Sequence, residues 1–526
     1  MRSKSRSGAD ALVFVPREGA IAWGYATMSA HVGRLVAAIP EVYQPIFGHP
    51  NLSQNAARSS EDRLQPILDV YRALAAQLGR PLRVLDLGCA QGFFCLSLAK
   101  LGASVHGVDF QQGNIAVCQA LAGETPELKA SFETARVEDA LDALKPDQYD
   151  LVLGLSVFHH IIHRIGAVSV QRMLAVLAEK VGAGIFELAL ASEPPAWAAS
   201  QPANPRQILA GFGFVIELGQ NATHLSAIAR PLYFASSQYW RLNGRMERFD
   251  RWLPESHVFE NGANFGTRRY FFGGGWMAKL FQLDFVRCRA ANMRDHRNEV
   301  AFLSDPPAGF EAPALLLHGQ SEHEAWLVRE QWPGALLIER MRARAPYDAG
   351  AVITDVVTQL AALEAAGLYH NDVRAWNVLI GPDGRARLID YGAISRDSRD
   401  CGWPHNIFLS FLIFAQETIS GEVENLSPLR VPKLNPDDLP EPYRRAFWRL
   451  FERPAEQWRF ASLRDDILQI SGDYEAPSAT RTAGFTSALR AMEEACSLYR
   501  TATQEWRNRA AQAEAQARQL QNLAPR

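Results

Sequence analysis

A chain of 526 residues exceeds what one hydrophobic core normally serves; at roughly 150 residues per domain it holds three or four domains' worth of sequence. Hydrophobic residues at 48%, charged residues at 21% and aromatic residues at 10% exclude disordered, collagen-like and disulfide-scaffold chains. With 54 basic and 57 acidic residues the net charge is −3, which offers no general attraction to nucleic acid or to an anionic membrane.

The first residues, Met1 to Gly8, are basic, but the apolar stretch Ala11 to Val15 is stopped by Pro16, Arg17 and Glu18, too short for a signal-peptide core. Cys89, Cys95, Cys118, Cys288, Cys401 and Cys496 form no C-x-x-C pair and no zinc-like spacing, which fits a reducing cytoplasm. The longest strongly apolar run, Ile407 to Ala415, is about half the roughly 20 residues a membrane helix needs.

After an arm at 1–39, the region 40–236 alternates apolar β-rich runs (Val84 to Leu87, Ser104 to Val108, Leu151 to Leu155, Gly184 to Leu188) with helix-like segments, which predicts βαβ units and a parallel sheet. Val84 to Phe94 reads as a strand, a glycine-rich turn and an apolar helix. The next strand ends in Asp109, where a carboxylate can accept hydrogen bonds from two ribose hydroxyls. Glu138 and Asp139 follow where an adenine ring could be read. D-x-G-C-x-x-G at 86–92 followed by G-V-D-F resembles the S-adenosylmethionine motifs of class I methyltransferases, and G-x-G-x-x-G is absent. That resemblance implies a Rossmann-like α/β domain with Asp86, Gly88, Ala90, Gly92, Asp109, Glu138, Asp139, Ser156 and His159 at the cofactor. His159 and His163 are four residues apart, yet no carboxylate or third imidazole accompanies them at ligand spacing, so a metal site is not expected. The same segment offers no strong base. An already anionic acceptor, a phosphate or carboxylate, needs only placement beside the methyl group.

The region 237–480 begins with β-rich sequence and becomes helix-rich near Asp348. Gly381-Pro382-Asp383-Gly384 closes a hairpin that brings Asn377 and Asp390 to one end of two strands, with Asp372 five residues before Asn377. H-N-D at 370–372 and D-Y-G at 390–392 resemble the catalytic and metal loops of the protein-kinase fold. The resemblance implies Asp372 as base, with Asn377 and Asp390 as Mg²⁺ ligands. Lys279 stands where the nucleotide-binding lysine belongs, and Glu299, twenty residues on, is its expected partner. Leu336 to Met341 resembles the linker between lobes, which implies Glu339 and Met341 at the adenine of ATP. Arg374, in place of a lysine, is expected at the γ-phosphate. The phosphate loop departs from the kinase pattern, with Gly262 and Gly266 as candidates, and A-P-E is missing, so a small hydroxyl compound or a glycan is the expected acceptor.

In the last region, 481–526, Phe485, Leu489, Met492, Cys496, Tyr499, Thr503, Trp506, Ala510, Ala513, Ala517 and Leu520 are spaced alternately by four and three, a heptad seam that predicts a self-associating helix.

A methyltransferase, a non-protein kinase and a coiled-coil helix in this order, together with the segments 86–94, 154–161, 268–272, 306–314, 370–378 and 400–404, resemble the WbdD-type bifunctional chain terminators of bacterial O-antigen polymannose synthesis. The resemblance covers about Pro40 to Thr480. It implies phosphorylation of the terminal mannose of a lipid-linked polysaccharide, methylation of that 3-phosphate, a cytoplasmic position at the inner membrane and a polymerase as partner. Two other readings of the same residues are a small-molecule kinase fused to an unrelated methyltransferase, and a coiled-coil scaffold.

Overall fold

The computed structural model describes residues 30–223, 228–260, 262–423, 430, 433–469 and 479–523, and it divides into two compact units, Met1–Asp250 and Arg251–Arg526. The basic stretch Met1 to Gly8 and the apolar stretch Ala11 to Val15 lie outside the described residues.

In the first unit the expected βαβ alternation forms one seven-stranded sheet. Its strands are β1 (Arg83–Leu87), β2 (Ser104–Asp109), β3 (Ala130–Thr134), β4 (Leu151–Leu155), β5 (Ala183–Glu187), β6 (Phe214–Asn221) and β7 (Arg230–Ser236), in the order β3-β2-β1-β4-β5-β7-β6. The first five run parallel and β7 is antiparallel to both neighbours. Every residue of β4 and β5 is buried, which is why these strands read as unbroken apolar runs. The strand order reverses between β1 and β4, the point at which ligands bind in open α/β sheets, outside the carboxyl ends of the strands.

A glycine is required at position 107 of β2. A Cβ there would sit 2.7 Å from the Phe132 ring and 2.9 Å from Cys89 Sγ. Phe132 is the one buried residue of β3, so the glycine lets this otherwise polar strand dock. A hairpin, β8 (Tyr239–Leu242) and β9 (Arg245–Arg248), closes the unit, and Gln77 ties it back by donating to the Met246 carbonyl.

The second unit opens with a five-stranded antiparallel sheet, order β10-β11-β12-β14-β13, built from β10 (Arg251–Leu253), β11 (Arg268–Gly273), β12 (Trp276–Gln282), β13 (Leu315–Gln320) and β14 (Glu324–Glu330). The β11–β12 hairpin turns through Gly274 and Gly275 as its glycine run predicts. The helix Val286–Ser304 lies against this sheet. The rest of the unit is helical around a core that includes Val356, Leu360, Phe411 and Phe447. It also carries a small sheet of β15 (Ala335–Leu336), β17 (Val378–Ile380) and β18 (Ala386–Leu388), and a pair, β16 (Tyr369–His370) with β19 (Ile394–Ser395).

One expectation is corrected here. Leu336 to Met341 is not the linker between the lobes: Leu337–Ala343 is a helix, capped by the Glu339 carboxylate on the Leu336 N–H. The connection from the five-stranded sheet runs through 331–334, where the Gln331 N–H is bonded to the Gly275 carbonyl. Met341 is buried in the helical core beside Leu337 and Ile338, so it is a packing residue. The apolar residues at 337, 338 and 341 have helical spacing, and that periodicity outweighs the resemblance to a linker.

The C-terminal helix Ala479–Leu523 is continuous. Of the heptad seam, Leu489 is buried against Ile413 and Leu434, whereas Tyr499 and Trp506 are 73% and 70% exposed. The side chains of Phe485, Ala517 and Leu520 lie outside the described residues.

Candidate active sites

At the carboxyl ends of β1 and β2 the glycine turn folds as its sequence requires. Gly88, Ala90 and Gly92 all have positive φ, and the N–H groups of Gly88 and Cys89 bond the Val108 carbonyl. A Cβ on Gly88 would stand 2.9 Å from Val157 Cγ2, so the turn lies directly against the segment that follows β4. Asp109 is oriented by the N–H groups of Ala90 (3.0 Å) and Gln111 (2.8 Å) and by Asn114 Nδ2 (3.3 Å). These bonds hold a largely buried carboxylate at the turn, an acceptor for the two hydrogen bonds that ribose hydroxyls donate. Glu138 opens the helix Val137–Ala143 and is paired with Arg136 and Arg164, while Asp139 beside it is exposed.

The segment before the helix Glu61–Leu78 was not legible as part of this site. Gln91 Oε1 accepts the N–H groups of Tyr43 and Gln44, and Gln44 Oε1 in turn accepts the Phe93 N–H. Residues 41–44 are thereby laid over the glycine turn by amide side chains, for which no sequence pattern exists.

Asp86 sits beneath the turn, next to Cys95 Sγ at 3.3 Å. Burial, helped by Cys89 and Asp109, pushes its carboxyl from the ordinary 3.8 up to about 8. The unfolded chain releases this proton near pH 4 and the folded chain holds it to about pH 8, so stability falls as pH rises through that window and levels off above it. Asp86→Asn is therefore expected to raise the melting temperature of the first unit at pH 8 and to change it little at pH 4. Scanning calorimetry at both values checks this, and equal shifts would refute a neutral buried carboxyl.

Ser156 follows β4 with φ of 55°. Its hydroxyl is hydrogen-bonded to Glu187 and meets the guanidinium groups of Arg58 at 3.1 Å and Arg230 at 3.4 Å. His159 is buried against Trp197, with ring centroids 4.4 Å apart.

In the second unit a cavity of about 920 Å³ is lined by Lys279, Glu299, Asp372, Asn377 and Asp390. Lys279 Nζ is 3.0 Å from Glu299 and 3.1 Å from Asp390. Burial opposes its charge, but the Asp390 and Glu299 carboxylates outweigh that and hold its pKa well above the ordinary value. Asp390, at φ 62°, is held down to about 2: burial works against its charge, and Lys279 and Arg268 overcome it. The β17–β18 hairpin sets Asn377 against this group, as the Asp-Gly turn predicts. Asn377 Nδ2 donates to the Asp372 carbonyl at 2.9 Å and to Asp372 Oδ2 at 2.8 Å. With its amide nitrogen committed to Asp372, Asn377 presents its carbonyl oxygen, and Asp390 keeps one carboxylate oxygen beyond Lys279. Hard oxygen donors of this kind suit Mg²⁺.

Arg374 also lines this cavity. Its guanidinium forms a two-pronged pair with Asp400, at 3.0 and 2.7 Å, and its Nε lies 3.4 Å from Asp372 Oδ1. Arg374 and Asp400 are both buried. Sequence reasoning placed Arg374 and missed Asp400, because only the fold brings residues 26 apart into one ion pair. The phosphate-loop segment between β10 and β11 also reaches this cavity, where His257 stacks on Trp376 at 4.9 Å and Phe259 meets the same ring edge-on. Glu339 lines the cavity and Met341 does not.

Residues 84–180 match the family model described as a methyltransferase domain. Over 465 residues, 87% of this chain, the sequence is 40% identical to the O-antigen chain terminator bifunctional methyltransferase/kinase WbdD of Escherichia coli. The chain spans 65% of the length of that curated relative. A medium-resolution solved structure of the bifunctional kinase-methyltransferase WbdD is 38% identical with a TM-score of 0.76, and the match covers 87% of this chain and 100% of that one. A low-resolution WbdD structure with its C-terminal bundle ordered is 37% identical with a TM-score of 0.83, covering 93% of this chain and 100% of that one. Matched along the whole of two solved chains, with the glycine turn and the Lys279, Asp372, Asn377 and Asp390 cluster both in place, this chain belongs to the WbdD family of bifunctional methyltransferase/kinases.

Proposed function

We propose that the chain phosphorylates the non-reducing terminal mannose of a lipid-linked O-antigen polysaccharide with ATP, and then methylates that phosphate with S-adenosylmethionine, ending elongation. The observation that carries this reading is the joining of two complementary chemistries in one chain. The second unit gathers a carboxylate base with nucleotide-binding groups, and the first has a methyl-donor turn with no strong base beside it. The product of the kinase is an anion, which is what a methyltransferase without a base can use.

In the kinase, Asp372 accepts the proton of the acceptor hydroxyl as the new O–P bond forms and the bond to ADP breaks. Lys279, held by Glu299, binds the α- and β-phosphates. Asn377 and Asp390 would hold Mg²⁺, which when bound neutralises charge on the phosphates. Arg374 acts on the base: locked by Asp400, it fixes Asp372 in place. Trp376 and His257 supply a flat apolar wall of the kind on which a sugar ring packs. In the methyltransferase, Asp109 takes the ribose hydroxyls of S-adenosylmethionine and the glycine turn lets its backbone come close.

The exposed Tyr499 and Trp506 support self-association through the C-terminal helix, since large aromatic side chains at heptad positions are buried when partner helices pack. No helix among the described residues is long and apolar enough to cross a membrane. A peripheral position at the inner membrane, reached through the lipid-linked acceptor and a polymerase partner, is the reading we adopt.

Mass spectrometry of a defined mannose oligosaccharide, incubated with the protein, ATP, Mg²⁺ and S-adenosylmethionine, tests the order of events. The expected gain is one phosphate and then one methyl, with neither appearing when ATP is omitted. A methyl gained without ATP would overturn the sequence of steps.

A further inference from the structure

A buried cluster of charge at the carboxyl ends of β4 and β5 has more cations than anions. Glu187, completely buried, is bridged by Arg58 at 2.8 Å and by Arg63 at 3.2 Å. Glu193, also buried, is held by Arg230 at 2.7 Å. Three buried guanidinium groups thus face two buried carboxylates. Among the described residues the other acids near Arg63 are Asp62, which is 39% exposed and lies 3.8 Å from it, and Asp86, whose carboxyl burial keeps protonated up to about pH 8. Leaving one positive charge uncompensated in a low-dielectric site is unfavourable unless an anion joins it.

The excess has a direction. Arg58 and Arg230 converge on the Ser156 hydroxyl, and Ser156 precedes Val157, the residue packed against Gly88 of the methyl-donor turn. On the same side stands His159, buried to all but 5% of its surface, whose Nδ1 has no hydrogen-bond partner among the described residues. Its ring is wedged between His160, 4.0 Å away, and Trp197, over which Arg230 also lies at 5.0 Å. Burial above all, with His160 and Arg230 adding to it, pulls the His159 pKa down to about 2, so the ring is neutral and carries one N–H to give. With its proton on Nδ1, this unpartnered nitrogen beside excess positive charge suits an occupant that is anionic and accepts hydrogen bonds.

We propose that Arg58, Arg230, Ser156 and His159 form the methyl-acceptor site and that it takes a sugar phosphate monoester, with the two guanidinium groups and His159 Nδ1 on the phosphate oxygens and Trp197 beside the sugar. This rests on the phosphate-methylation reading and supplies its binding residues. In the transfer, a lone pair of one phosphate oxygen forms the new O–CH₃ bond and the S–CH₃ bond breaks with its electrons going to sulfur. The sulfonium becomes a neutral thioether and the dianionic monoester becomes a monoanionic diester, with no proton to remove. That accounts for a site whose buried His159 imidazole is held neutral and whose serine meets two arginines.

The test uses the whole protein with a chemically prepared mannose oligosaccharide bearing a terminal phosphate monoester. Arg230→Lys keeps the charge facing Glu193 but loses the planar fork, and His159→Phe keeps the ring and loses Nδ1. Each is expected to raise KM for the phosphorylated acceptor about tenfold. Phosphorylation of unmodified oligosaccharide by the same variants serves as the internal control. A second measurement needs no variant: the Nδ1–H resonance of His159 in wild-type protein saturated with S-adenosylhomocysteine should shift when the phosphorylated oligosaccharide is added and stay put with the unphosphorylated one. If wild-type protein fails to methylate the phosphorylated acceptor, the phosphate-methylation reading falls. If it does methylate, yet both variants keep the wild-type KM or the His159 resonance does not move, the acceptor-site assignment falls alone.

Discussion

Asp372→Asn is expected to lower phosphoryl transfer to a mannose acceptor by about 10²- to 10⁴-fold, the range a positioned general base supplies. The substitution preserves the size of the side chain and an oxygen that can still accept from Asn377 Nδ2, so the hairpin that sets Asn377 and Asp390 stays in register. What is lost is the negative charge that draws the proton from the attacking hydroxyl. Methylation of an acceptor that already carries phosphate should proceed at the wild-type rate, because the methyl-donor turn lies in the other unit. Transfer from labelled ATP and methyl incorporation, measured on one preparation, separate the two. Unchanged phosphorylation would remove Asp372 from the mechanism.

The second large effect is expected at Asp400, where no nucleotide or acceptor contact is proposed. Asp400→Ala leaves the Arg374 guanidinium buried with one of its two carboxylates gone, and breaking a buried pair from one side costs about 3 to 5 kcal/mol. Urea unfolding of the second unit should show that loss as a lower midpoint. Kinase activity should fall as well, since Arg374 would be free to swing its full charge onto Asp372. Replacing both partners with apolar residues, Arg374→Met with Asp400→Leu, is expected to recover much of the stability and little of the activity. If the double variant regained phosphoryl transfer, the pair would be packing alone and Asp372 would orient itself.

How far the two sites could be read without coordinates follows from how local their chemistry is. The glycine turn at 86–92 and the hairpin carrying Asn377 and Asp390 are each made within a few residues, so spacing carries the geometry and the structure repeats it. Lys279 and Glu299 were legible for a related reason: one strand and the next helix pack together in sequence order. Asp400, Arg58 and Arg230 follow no such rule. Each reaches its site because a tertiary contact folds it there, Arg58 meeting Glu187 across 129 positions. The misplaced linker shows the converse failure. Leu336 to Met341 resembles a linker by its place in the chain, but Leu337, Ile338 and Met341 have helical spacing and are buried together in the core, and the crossing lies at 331–334.

The catalytic loop is sewn to the chain that follows the metal loop. Asn371 Nδ2 donates to the carbonyls of Asp397 and Arg399, the Ser395 hydroxyl donates to Asn371 Oδ1, and the Cys401 N–H bonds the Asn371 carbonyl. In kinases that are switched, this stretch is the one that orders on command, commonly when a phosphate is added to it. Here the same stretch is held by the protein's own amides and hydroxyls. Under the proposed function, capping depends on the amount of this protein, and doubling its dose is expected to shorten the finished chains.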